Sequence, residues 1–149
     1  MLSSATEIVH ALGLDAALVG RSHECDYPPS VADLPRCTDP AFSVEGSSRD
    51  IDQAVKAAAR NALAIYTVHE HRLEALKPDI ILTQSQCEVC AVSLKDVEKA
   101  LAGRLRVDCR VVSLNPHRLD DVYDDVRRVA AALGEPHRGT ALVTALRAA

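Results

Sequence analysis

The sequence predicts an α/β layer domain, an open and mainly parallel sheet with helices on both faces. Three observations carry this. The apolar runs Ile80-Ile81-Leu82 and Val111-Val112 are short and continuous, as strands covered on two faces require. Stretches of helical period separate such runs, above all Leu119 to Leu133 with its stripe at Leu119, Val122, Val126, Val129 and Leu133. Strand and helix signals alternate along the chain, the pattern of right-handed crossover units.

The elements follow in order. Thr6 to Leu12 reads as a helix, with Ser3 or Ser4 as cap, Glu7 completing a capping box with Ser4, and Gly13 as terminator. Ala17-Leu18-Val19-Gly20 reads as a short buried strand. Pro29 to Ser48 reads as a long irregular loop, a length that in a compact domain has a functional or linker reason. Asp50 to about Leu63 is the second helix, Ile65 to Val68 an extended segment, and His69 to Leu76 a helix stopped by Lys77-Pro78. Asp79 to Gln84 is the clearest strand. Ser93 caps a helix from Leu94 to Leu101, and Arg110 to Leu114 is the next strand. After Asn115-Pro116 comes the striped helix, ended by Gly134, and Pro136 opens a last helix through Leu142 and Leu146.

The 149 residues, 48% of them apolar, suffice for one core but not for two full lobes. A formal charge of -4, with acidic and basic residues interspersed, excludes the basic footprint of a nucleic-acid binder. One Phe, three Tyr and no Trp leave no aromatic stacking platform. No run approaches the ~18 apolar residues that a spanning helix needs. The first residues lack a basic region followed by an apolar one, so the chain as written is expected to be cytoplasmic, and periplasmic or membrane-associated if its start is truncated. A sheet of this type ordinarily opens with a strand before the first helix, yet only Met1 and Leu2 precede Ser3. Both ends of the sequence read as cut.

Two segments carry chemistry, Ser22-His23-Glu24-Cys25-Asp26-Tyr27 and Gln86-Cys87-Glu88-Val89-Cys90. Each follows an apolar run, and in an open parallel sheet such positions meet at the rim where ligands bind. The Cys87/Cys90 spacing is shared by metal knuckles and redox dithiols. Glu88 between the thiols opposes thiolate formation and weakens the dithiol oxidoreductase reading. The metal reading needs two more ligands, and His23 with Cys25 supplies a nitrogen and a sulfur suited to a zinc-type ion, with Glu24 and Glu88 placed to tune it. Separate structural roles for these cysteines stand beside it, because free cysteines are commonly buried. Five cysteines form no disulfide framework; Cys37 is a candidate for the rim and Cys109 is quiet. His10 reads as structural, His69 as capping or lining the loop after Val68, and Asn115 and His117 as facing the rim. Tyr27 is placed to lie against a planar ligand or to brace Pro28 and Pro29. Ser3 and Ser4 lack a base, and there is no phosphate loop or His-Glu-x-x-His element, so no catalytic site and no nucleotide cofactor are expected.

The segments Ser3-Ser4-Ala5-Thr6-Glu7-Ile8, Gly20 to Pro28, Leu76-Lys77-Pro78-Asp79-Ile80-Ile81-Leu82-Thr83-Gln84 and Cys87-Glu88-Val89-Cys90-Ala91-Val92 resemble cobalamin-binding proteins of the iron-siderophore and cobalamin periplasmic binding family. The likeness runs over almost the whole chain. It implies a Rossmann-like lobe, the amino-terminal one of a two-lobe fold, over residues 1–135, with the start of the interlobe helix at 136–149. It implies non-catalytic binding of cobalamin or a related metal complex for an ABC importer, with a second lobe or another copy of the chain as further partners. Ligand contacts implied by the likeness are Ser4, Thr6, His23, Glu24, Cys25, Tyr27, Gln84, Cys87, Glu88 and Cys90. A small metal-binding protein using the His23, Cys25, Cys87 and Cys90 set, or an inactive truncated remnant, are the alternatives.

Overall fold

The computed structural model describes residues 3–41, 46–60, 66–84 and 108–148. Helix α1 spans Ser3–Ala11, so Ser3 and Ser4 lie in its first turn. It ends as the glycine predicts. Gly13 takes φ +70°, its amide donates to the carbonyl of His10, and the amide of Leu14 donates to that of Val9. These two bonds form a Schellman motif, in which the residue after the cap needs the left-handed region that glycine enters without strain.

Strand β1, Thr38–Pro40, pairs antiparallel with β2, Tyr66–Val68. Strand β3, Ile80–Gln84, pairs parallel with β4, Arg110–Leu114, in the register Ile80↔Arg110 to Gln84↔Leu114. In the chain α2, Ser48–Arg60, lies between β1 and β2, and α3, Glu70–Leu76, between β2 and β3. The chain closes with α4, Leu119–Ala132, and α5, Pro136–Ala148. Helix α2 is started by Ser47 and Asp50. The Ser47 amide and hydroxyl both donate to the Asp50 carboxylate, at 3.0 and 2.6 Å, and the Asp50 amide returns a bond to the Ser47 hydroxyl.

One face of the β3–β4 pair is covered by helices. Ala5 and Val9 of α1, with Leu12 just beyond it, pack with Leu114, with Val126, Val129 and Ala130 of α4, and with Val143 of α5. The other face carries Ile81, packed against Tyr66 and Val68 of β2 and against Val111. Gly139 sets the approach of α5 to α4. A Cβ there would stand 2.6 Å from that of Ala130 and 3.2 Å from Cα of Arg127. Across the same layer, the Arg138 guanidinium donates to the carbonyls of Leu12 and Gly13 and ties α5 to the end of α1.

Three expectations are corrected. Ala17 to Gly20 is not a strand: Asp15–Ala17 forms a 3-10 turn, and only Arg21 bridges, parallel, to Arg36. The long loop is not wholly irregular, because it contains a 3-10 turn at Pro29–Asp33 and β1 itself. The stripe on α4 is buried at Val126 and Val129, while Leu119 and Val122 face solvent at the amino end, where no described element covers them. The helix expected at Leu94 to Leu101 lies outside the described residues.

Candidate functional site

The loop of Ser22 to Pro28 is built from its own backbone outward. Arg21 holds it closed: its guanidinium donates to the carbonyls of Ser22 and Cys25, both at 3.2 Å, and to that of Ala32 at 3.1 Å. The Ser22 side chain is buried and its hydroxyl accepts the Glu24 amide at 3.1 Å, while the Cys25 amide donates to the Ser22 carbonyl. This tight turn sends His23 and Cys25 to different neighbours.

Cys25 is 1% exposed, with its sulfur 3.1 Å from the Thr6 hydroxyl and 3.5 Å from that of Ser22. It therefore fastens the loop to α1. His23 instead turns to the β1–β2 ribbon. Its Nδ1 lies 2.9 Å from the Thr38 hydroxyl, which also accepts the His23 amide at 3.2 Å. The Tyr66 ring stands tilted beside the imidazole, centroid to centroid 5.1 Å. Nε2, on the opposite edge of the ring, has no hydrogen-bond partner among the described residues. Burial holds the His23 pKa below its ordinary value, and Arg36 adds to that, while Glu24 and Asp39 pull it partly back. The half-buried ring is thus neutral near pH 7, the form that binds metals.

Glu24 and Tyr27 reach solvent, Tyr27 with 55% of its surface exposed. The Tyr27 ring meets His10 edge-on at 5.5 Å, and His10 Nδ1 lies 2.6 Å from Asp15, so these three form one surface group. Pro28, joined to Tyr27 through a cis peptide, is buried.

Beside His23 runs a second polar chain that sequence reasoning only partly marked. His69 Nε2 is 2.7 Å from Asp39, and the same carboxylate meets Arg36 at 2.8 Å. The hydrogen bond from His69, together with Arg36, lowers the Asp39 pKa. Thr38 and Tyr66, which orient His23, were missed altogether. No motif marks a threonine in a loop or a tyrosine in a three-residue strand. Cys37 is buried, and its thiol donates to the Pro35 carbonyl at 3.6 Å.

Ser4 is exposed on the first turn of α1, and Gln84 ends β3 half-buried. Asn115 and His117 follow β4 and are exposed. Cys87, Glu88 and Cys90 lie outside the described residues. Among the described residues, no three of His, Cys, Asp and Glu are grouped to hold a metal ion. Thr6 bridges the two halves of the arrangement, since it touches Cys25 and also lines a cavity with Ile80 to Leu82.

Neither a family model nor a curated protein matches this chain. A solved structure does: the periplasmic heme-binding protein RhuT from Roseiflexus sp. RS-1, in apo form, with a TM-score of 0.63 at 23% identity over 98% of this chain. The chain spans 44% of that protein's length. The likeness establishes the fold, a single α/β lobe of the kind found in a periplasmic binding protein.

Proposed function

We propose that this lobe is one wall of a non-catalytic binding site for a tetrapyrrole-type metal complex, cobalamin or heme. It would serve a substrate-binding protein that hands its cargo to an ABC importer. The carrying observation is the His23 imidazole. Its ring plane is set by Tyr66, its Nδ1 is anchored on Thr38, and its Nε2 has no described partner. With Nδ1–H donating to the Thr38 oxygen, the Nε2 lone pair would be the one left to ligate the metal of such a complex. A hydroxyl that fixes the remote nitrogen in this way selects the metal-binding tautomer. Tyr27 and Glu24 on the same loop supply exposed aromatic and acidic contact surface.

The fold likeness to a heme-binding protein supports the class of cargo, and the motifs at His23 to Pro28 and Cys87 to Cys90 favour a corrinoid within it. In this reading Cys25 is a structural thiol, and Ser4, Thr6 and Gln84 frame the wall. A second lobe completes the enclosure, since a large ligand normally has most of its surface buried. The compartment this implies is the periplasm.

Separate absorption titrations with hydroxocobalamin and with hemin test the proposal. The expected result is a shift of the visible bands of one of them, saturating at one per chain, with the cargo recovered chemically unchanged. Unshifted spectra for both, with protein in large excess, would remove it. Zinc bound at one ion per chain without any tetrapyrrole shift would replace it with the small metal-binding reading.

A further inference from the structure

Strand β4 has an open edge, since among the described residues it pairs only with β3. The Arg110 amide donates to the Asp79 carbonyl at 2.9 Å, and in the parallel register this directs residues 110, 112 and 114 to β3. The backbone groups of Val111 and Ser113 are directed the other way. Of these, among the described residues, only the Ser113 carbonyl is taken, by the Arg128 guanidinium at 3.0 Å.

This edge borders a recess of about 390 Å³, lined by Arg110 to Ser113 and by Arg128, Ala131 and Ala132 of α4. Val112 and Leu114 pack toward α4, so Arg110, two residues before Val112, lies on the same side of the strand. Val111 packs on the opposite side with Ile81. Arg110 is exposed and has no carboxylate partner among the described residues. Arg128 meets Asp125 at 3.2 Å and the Ser113 carbonyl through Nη1 alone, which leaves Nη2 and Nε for a further acceptor. Two arginines thus flank one side of a free strand edge.

We infer that the β4 edge is a strand-addition site for an extended segment of a partner protein in which acidic and apolar residues alternate. Val111 and Ser113 supply the main-chain bonds, and side-chain contacts supply the selection. Side chains of an added strand alternate between its two faces, so every second one lies on the α4 side, beside Arg110 and Arg128. Asp or Glu at those positions forms cross-strand pairs with the two guanidinium groups. The residues between them continue the apolar face of Val111. As the segment docks, its amide takes the Ser113 carbonyl and Arg128 turns to the incoming carboxylate. A second copy of this chain fits poorly, because pairing edge to edge would bring the arginines of both copies together, the like-charge device by which free edges resist self-pairing. None of this depends on the cargo proposed above.

The test adds the end-capped peptide Val-Glu-Val-Glu-Val to the chain and reads amide hydrogen exchange at Val111 and Ser113 by NMR. The peptide is expected to slow both amides at least about fivefold. Val-Lys-Val-Lys-Val should not, and neither should the acidic peptide with every backbone nitrogen methylated, which keeps the charges and loses the donors. Arg128→Gln should abolish the preference for the acidic peptide over the basic one. Arg110→Gln carries the same comparison if the first variant fails to fold. Unchanged exchange at Val111 and Ser113 with the acidic peptide in large excess would overturn the inference, as would equal protection by the acidic and basic peptides. Protection already present in the free chain that fades on dilution would also overturn it, because the edge would then belong to a second copy.

Discussion

The Nδ1 atom of His23 and the hydroxyl of Thr38 lie 2.9 Å apart, and the same hydroxyl accepts the His23 amide. One fully buried threonine thus fixes both the backbone and the ring of the residue at the centre of the proposed site. Thr38→Val keeps the shape and removes both bonds. The expected loss is about 1–3 kcal/mol of stability, the cost of leaving buried polar groups without partners. A urea titration reads it, and an unchanged midpoint would show that water replaces the hydroxyl.

The pH dependence of His23 has a definite sign. Its folded pKa lies below the ordinary 6.5, so under pH 6.5 the unfolded chain takes up the proton first. Stability from this group is complete above that value and is lost as pH falls through the window beneath it. Thr38 pairs with the ring on one side, and Glu24, Arg36 and Asp39 are the charges that act on it. A His23→Gln variant should flatten the midpoint-versus-pH curve in that window. An equally steep curve would assign the slope to other groups.

Asp125 runs the other way. It is a buried residue of α4, one of its oxygens has no partner among the described residues, and its pKa is raised by burial against the pull of Arg128. As pH rises from the ordinary 3.8 through the raised folded value, the unfolded chain ionises first and stability declines. Asp125→Asn is therefore expected to raise the urea midpoint at pH 7, with the gain shrinking toward about pH 4. A loss at pH 7 would mean that the 3.2 Å pair with Arg128 outweighs the burial cost.

Gly139 admits no side chain, because a Cβ would lie 2.6 Å from that of Ala130. Gly139→Ala gains helix propensity on α5 but forces α4 and α5 apart. Overpacking of this kind costs about 1–3 kcal/mol, more than the propensity returns. Chemical denaturation measures the balance, and a stabilised variant would contradict the packing described.

Thiol reactivity separates the buried cysteines from the accessible one. Among Cys25, Cys37 and Cys109, alkylation followed by peptide mapping should find Cys109 modified first, since it is half-buried and the other two are closed off. Burial also raises the Cys37 pKa and slows it further. Early labelling of Cys25 would mean that its contact with Thr6 opens readily.

Local features of the fold were legible from the residues alone. The strands at Ile80 and Arg110, the helix of Val126 and Val129, and the glycine stops at Gly13 and Gly134 each depend on near neighbours in sequence. The β1–β2 ribbon was not legible, because Thr38 and Val68 pair across a long stretch of chain and β1 itself contains Pro40. Ala17 to Gly20 misled for a related reason: an apolar run becomes a strand only when an edge finds a partner, and among the described residues the single bridge here is at Arg21, to Arg36. Within the candidate site, the importance of His23 was visible in its motif. The separate placement of Cys25 was not, since it arises from the turn that Ser22 and Arg21 impose.

The most direct measurement compares hydroxocobalamin and hemin titrations of the original chain with those of His23→Gln at neutral pH. The account predicts a band shift characteristic of nitrogen ligation in the original chain. In the variant that shift should be lost, or binding weakened by at least about tenfold, a change of roughly 1.4 kcal/mol. Identical spectra and affinities for the two proteins would contradict His23 as the residue that meets the metal.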